Sequence, residues 1–186
     1  MQSLINTIAT ILEASGWLAK ACALVLVALV TANVFARYFL SAGNVGLQEL
    51  EWHLISPIAL LGMSYALQHG EHVRVDVFYE KMSEQTRILV DMLTAVLTFA
   101  VGAYLAWVSI PYVESSFAMG QGSPDPGGLP HRFLLKAFIP IGFGLLALQA
   151  ISALLQALAR FRHCLEGRAS RSTNLANTTR LAEENR

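Results

Sequence analysis

The stretch ACALVLVALVTANVFA, Ala21–Ala36, decides the fold of this chain, because it contains no Asp, Glu, Lys or Arg. Three later stretches share this property and are also mainly apolar: Trp52–Gly70, Met92–Val113 and Ala137–Ala159. With its flanking residues, each stretch reaches the about 20 mainly apolar residues that a membrane-spanning helix requires. A soluble chain of 186 residues could not bury four helices that are apolar all round. The sequence therefore predicts an all-α integral membrane protein with four transmembrane helices.

The overall composition supports a lipid bilayer as the surroundings of this chain. Its hydrophobic fraction is 54% and its charged fraction only 14%, whereas soluble domains average about 25% charged residues. The mean hydropathy is +0.48. Lys and Arg together number 13, as do Asp and Glu, so the net charge gives no reason to expect a nucleic acid as a partner.

The pattern of apolar and polar residues divides the chain into three parts. Residues 1–15 place Leu and Ile on one helical face, which is typical of an amphipathic helix at a membrane interface. Residues 160–186 are polar and lack apolar periodicity, so we expect a partly disordered cytoplasmic tail. Between them we predict a transmembrane domain, residues 16–159, with spans at about residues 16–39, 47–69, 86–113 and 133–159.

The basic residues predict the orientation of the four spans. With an even number of spans, both termini and the middle loop share one side of the membrane. That side carries most of the basic residues, and the other side has only Arg37, Arg132 and Lys136. Because basic residues accumulate on the cytoplasmic side, we expect both termini in the cytoplasm and residues 114–131 outside it.

Polar residues near the membrane offer the first candidate sites. Asn33 and Arg37 lie one helical turn apart on the first span, and Glu49 and Glu51 open the second. Arg37 could pair with Glu49 or Glu51 inside the bundle, while Asn33 bonds across helices. Alternatively, all three charges could reach out to the lipid headgroups. A proton or sodium pathway is a weaker alternative, because no acidic residue lies in the middle of any span.

Metal, haem and enzyme chemistry find little support in the sequence. A haem held by two histidines needs them to face each other from different helices, but only the second span carries histidines, His53 and His69. Asp125 and His131 could form a catalytic triad with one of four serines near the outer surface, Ser109, Ser115, Ser116 or Ser123. Nothing in their spacing predicts a nucleophile elbow. We therefore expect no cofactor, no metal and no catalytic activity.

Several segments nevertheless resemble a known family. They are NVFARY from Asn33, QELEWH from Gln48, GEHVRVD from Gly70, SPDPGGLP from Ser123, and Lys136–Pro140. Together they are similar to the small permease subunit of tripartite ATP-independent periplasmic (TRAP) transporters, in a branch often labelled for mannitol or chloroaromatic compounds. The likeness covers about residues 10–160. One departure is the order Glu49-Leu50-Glu51, where many relatives have two adjacent acids, so the partner of Arg37 stays open.

This resemblance implies a non-enzymatic subunit in a bacterial inner membrane. A large permease subunit would hold the substrate and sodium sites, and a soluble periplasmic protein would deliver an organic acid. The small subunit is expected to act as a scaffold for the large subunit and to help dock the periplasmic protein. Its candidate structural or interface residues are Asn33, Arg37, Glu49, Glu51, His72, Arg74, Asp76 and Lys136.

Two alternatives remain beside this expectation. The turn that contains His72, Arg74 and Asp76 is either a docking corner or an ordinary charged turn. The whole chain could instead be an autonomous exporter that works as a homodimer, like small multidrug-resistance proteins. Those proteins need a membrane-embedded acid in their first helix, and the first span here has none.

Overall fold

The structure is a computed structural model that describes residues 2–41, 43–70 and 82–184, with only the backbone of residue 163 and of residues 165–184. Every regular element in these ranges is a helix, which confirms the predicted all-α class. The helices are α1 (Gln2–Leu40), α2 (Val45–Gln68), α3 (Glu84–Ala118) and α4 (Phe133–Glu184).

The helix ends follow local sequence signals. The Asn44 side chain caps α2 by accepting hydrogen bonds from two backbone N–H groups of its first turn. Ser83 caps α3 in the same way through the Thr86 N–H. Such side chains satisfy N–H groups that have no partner inside the helix. Just beyond the far ends of α2 and α3, Gly70 and Gly120 have positive φ angles, which a glycine adopts without steric cost.

Three helical segments are long and apolar enough to cross a membrane, Gln2–Leu40, Glu84–Ala118 and Phe133–Arg162. The chain is therefore an integral membrane protein, as the sequence predicts. Helix α2 has 24 residues, or about 36 Å at 1.5 Å per residue, which is also sufficient length. Its first two turns carry two acidic residues, Glu49 and Glu51.

Helices α1 and α2 form an antiparallel pair. Three side-chain contacts join them, and their residue numbers rise along α1 while they fall along α2: Glu13 with His69, Lys20 with Tyr65, and Asn33 with Glu51. Gly16 allows the close approach at one of these levels, because a Cβ atom there would overlap the Tyr65 ring. The α1–α2 hairpin is thus fastened along most of the length of α2.

Helix α4 is central and packs against the other three helices. It meets α3 along a narrow seam, in which the buried residues of α3 recur every seven positions: Ile88, Ala95, Gly102, Ser109 and Ser116. A repeat of seven keeps one stripe of a helix against its neighbour. At Gly102 a Cβ atom would lie 3.1 Å from backbone atoms of both Phe143 and Ala147. Small residues therefore bring these two backbones close together.

The sequence predicts a separate interfacial helix over residues 1–15, but α1 runs unbroken from Gln2 to Leu40. The apolar face of its first part is covered by protein, since Ile8 is 3% exposed and Leu12 is fully buried. An amphipathic pattern indicates that one face is buried, but it does not specify whether lipid or protein covers that face.

Helix α4 likewise extends beyond the boundary at Ala159 that the sequence predicts. Its apolar, membrane-length part ends at Arg162, and helical backbone continues to Glu184. Residues 160–184 are therefore continuous with the fourth span rather than separated from it by a break.

Candidate functional site

The polar groups of interest gather at one end of the bundle, which we call the loop end. It comprises the last turn of α1, the first turns of α2 and α4, and the connection 119–132 between α3 and α4. The sequence predicts that the loop end lies on the side of the membrane away from the cytoplasm.

Glu49 is the centre of a first cluster, although it is a carboxylate and only 5% exposed. Its oxygens accept hydrogen bonds from the Ser123 hydroxyl and, at 2.6 Å, from the Leu129 N–H. A guanidinium nitrogen of Arg132 lies 3.7 Å from the same carboxylate. One side chain thus ties the start of α2 to both ends of the loop. We call these four residues the Glu49 clasp.

The loop can reach Glu49 because its glycines let the backbone turn and approach closely. Gly127 has a φ angle of +83°, in the left-handed region. At Gly128 a Cβ atom would lie 2.8 Å from a Glu49 carboxylate oxygen. Backbone bonds close the turn, from Ser123 N–H to Leu129 at 3.1 Å and from Gly128 N–H to Asp125 at 3.0 Å. The Gly- and Pro-rich sequence therefore forms a defined turn over the carboxylate.

Lys136 lies in a second cluster, between α3 and α4. Its ammonium group donates to the side-chain oxygen of Gln121 at 2.7 Å and lies 3.9 Å from the centre of the Tyr112 ring. The buried Ser116 hydroxyl donates to the same Gln121 oxygen at 2.8 Å. We call these four residues the Lys136 cluster. It fastens the end of α3 and the start of the loop to α4.

Asn33 and Glu51 form the third contact, across the α1–α2 pair. The Asn33 side chain is 7% exposed and donates to a Glu51 carboxylate oxygen at 2.9 Å. The hydrogen bond across helices that the sequence predicts for Asn33 is therefore present. It joins Asn33 to an acid rather than accompanying an ion pair of Arg37.

The hypothesis that Arg37 pairs with Glu49 or Glu51 is not borne out. Arg37 is exposed and takes part in none of the ion pairs among the described residues. Glu49 instead lies beside Arg132. The sequence-based hypothesis missed this pair because it considered only partners on the neighbouring helix α1. The available signal was that Arg132 is one of only three basic residues on the predicted outer side.

His72, Arg74 and Asp76 lie outside the described residues. At the opposite end, Glu13 contacts His69 at 3.1 Å and Arg160 contacts Asp91 at 3.4 Å, so each helical hairpin is also fastened there. In the part of the chain that the structure describes, no three His, Cys, Asp or Glu side chains group as metal ligands.

The contacts of both clusters lie within this chain and involve the connection between α3 and α4. The acid and the bases of the Glu49 clasp and the Lys136 cluster are engaged with residues of this chain itself. Their effect is to hold residues 119–132 in one conformation on the ends of α2, α3 and α4.

The sequence of this chain matches a known family and a known protein. Residues 26–160 match the family described as tripartite ATP-independent periplasmic transporters, DctQ component. That region includes both clusters and most of the uncharged stretch of every helix. The chain is also similar to the ectoine TRAP transporter small permease protein TeaB of Halomonas elongata, with 27% identity over 150 residues, 80% of this chain and 77% of that protein. The chain therefore belongs to the DctQ component family, the small permease subunits of TRAP transporters.

Proposed function

We propose that this chain is the small subunit of a secondary transporter that imports an organic acid together with sodium. A subunit of this family is part of a transporter, not an enzyme, and works with a large permease and a periplasmic binding protein. The observation that carries the proposal is the family match over residues 26–160, which covers all of α2 and α3 and parts of α1 and α4.

The role we assign to the chain is that of a scaffold for the large permease. The stretches Ala21–Ala36, Met92–Val113 and Ala137–Ala159 contain no charged residue that could bind an ion near the middle of the membrane. The charged side chains at the ends of the bundle mostly hold its own helices and loop together. Substrate and sodium would accordingly bind in the large permease.

The loop end would lie in the periplasm of a bacterial inner membrane, with both termini in the cytoplasm. The asymmetry of the basic residues supports this orientation. Residues 119–132 would then face the periplasmic binding protein as a surface of fixed shape. Asp125 and His131 are exposed on it, while the Glu49 clasp holds the backbone that carries them. We propose that this surface helps to dock the binding protein.

The substrate class rests on the resemblance to TRAP transporters, since the bundle offers no site from which to derive it. The name of TeaB assigns ectoine to that protein, at 27% identity. The branch labelled for mannitol or chloroaromatic compounds stays a prediction. An autonomous exporter is not favoured, because α1 has no acidic residue after Glu13.

Reconstitution tests the proposal directly. Proteoliposomes that contain this chain, its large permease and the binding protein should accumulate the substrate when sodium is higher outside. Omitting the permease, the binding protein or the sodium gradient should abolish uptake. Accumulation of a carboxylate by vesicles that contain this chain alone would refute the scaffold role.

A further inference from the structure

The negative charge of Glu51 is compensated by fewer neighbouring groups than that of Glu49. Glu49 accepts two hydrogen bonds and has Arg132 beside it. Glu51 is half-buried and accepts one hydrogen bond, from the neutral amide of Asn33. Among the described residues, no Lys, Arg or His forms an ion pair with Glu51.

The depth of Glu51 makes this lack of a cation important. Its partner Asn33 lies in the uncharged stretch of α1, four residues before Arg37. Four residues of helix correspond to about 6 Å, so Glu51 is level with apolar side chains rather than with the charged end of α1. An ionised group near hydrocarbon is costly unless it is paired.

The surface beside Glu51 is open to a partner. Trp52 is 64% exposed and Ile55, one turn further along α2, is 51% exposed. The carboxylate therefore lies at the edge of an exposed apolar stripe. A phospholipid phosphate has the wrong sign of charge to compensate it, and a headgroup ammonium lies at the membrane surface rather than at the depth of Asn33. A Lys or Arg side chain of a neighbouring membrane protein has the right sign and can be placed at that depth.

We propose that Glu51 is a contact point for the large permease, which presents a Lys or Arg side chain to it at the α1–α2 surface. This inference rests on the proposed function, since it requires the two subunits to assemble. The Asn33 amide holds the carboxylate in position, and the stripe of Trp52 and Ile55 packs against the same partner.

Co-purification tests the proposal. The chain is tagged and co-expressed with its large permease, and the amount of permease recovered per tagged chain is measured. Glu51→Gln should reduce recovery about threefold, the effect of an average polar coupling between transmembrane helices. Glu51→Lys should reduce it further, because it places like charges together. The matched control is Glu114→Gln, which neutralises an exposed acid near the loop end of α3.

Three results of the co-purification would overturn the inference. They are unchanged recovery with Glu51→Gln, an equal loss with Glu114→Gln, and a Glu51→Lys variant no worse than Glu51→Gln. The isolated Glu51→Gln chain should keep its thermal stability, because a glutamine oxygen can still accept from Asn33. In the isolated chain, a double-mutant cycle on thermal stability measures the coupling between Glu51 and Arg37. A strong coupling would show that Arg37, rather than the permease, supplies the cation. If the unaltered chain recovers no permease, it is the proposed function that fails.

Discussion

Two acids only two positions apart serve different purposes in this protein. Glu49 faces the loop, where Ser123 and Leu129 donate hydrogen bonds to it, and Glu51 faces α1, where Asn33 donates. Successive residues of a helix are separated by about 100°, so residues two apart point to nearly opposite sides. The local order Glu-Leu-Glu therefore allows one helix turn to fasten a loop and a neighbouring helix at once.

The contact between the loop and Glu49 depends on the absence of a side chain at Gly128. Gly128→Ala would place a Cβ atom against the Ser123 side chain and 2.8 Å from the Glu49 carboxylate, so the turn must move away from the clasp. We expect a loss of about 1 kcal/mol or more of stability, as for other overpacked sites, and faster hydrogen exchange of the Leu129 N–H. Gly122→Ala is the matched control, since its Cβ atom would meet nothing within 4 Å. Equal behaviour of the two variants would argue against the clasp.

Among the elements, α4 has the greatest share in the packing, because it contacts the other three helices. Its close contacts use glycines on both sides of the interfaces. Gly102 of α3 packs against the backbone of α4, and Gly142 of α4 packs against Leu60 of α2. Lipid provides no hydrophobic drive for helix association, so close van der Waals packing at small residues has to provide it.

A pair of glycines on α4 tests this packing. Gly142→Ala would place a Cβ atom 2.6 Å from Leu60 Cβ and 2.9 Å from its carbonyl oxygen, whereas Gly144→Ala would meet nothing within 4 Å. The first variant should lose about 1–3 kcal/mol by overpacking. The second should gain up to about 1 kcal/mol, because alanine favours a helix over glycine. Thermal unfolding in detergent measures both, and a stabilised Gly142→Ala would contradict the α2–α4 contact.

At the scale of the whole molecule, α4 stands between α3 and the α1–α2 hairpin. An ion pair fastens the bundle at each end: Glu49 with Arg132 at the loop end, and Asp91 with Arg160 at the opposite end. These contacts hold α3, α4 and the α1–α2 hairpin together in one bundle.

The orientation of the molecule gives the last prediction. Single cysteines are placed at Gly122 and at Ser172 in a Cys22→Ala, Cys164→Ala background. Gly122 is exposed in the loop, and the basic residues predict that it faces the periplasm. Only Gly122→Cys should react with a membrane-impermeant thiol reagent in intact cells, and Ser172→Cys should react only after permeabilisation. The reverse labelling would invert the proposed topology.

The sequence by itself determined that this is an all-α membrane protein, and its motifs were enough to identify the TRAP family. Both follow from local information. A bilayer requires a long uncharged stretch wherever a helix crosses it, and each family motif is a short run of neighbouring residues. It also predicted that Asn33 bonds across helices. The sequence did not predict which distant parts of the chain contact one another.

Only the tertiary structure decided how those parts are paired. Arg132, rather than Arg37, contacts Glu49 across 83 positions, because the loop folds back over the start of α2. Protein rather than lipid covers Leu12, and Gly102 serves the α3–α4 seam inside the chain. Periodicity shows that a helix has a face to bury, but which neighbour buries it depends on how all four helices pack.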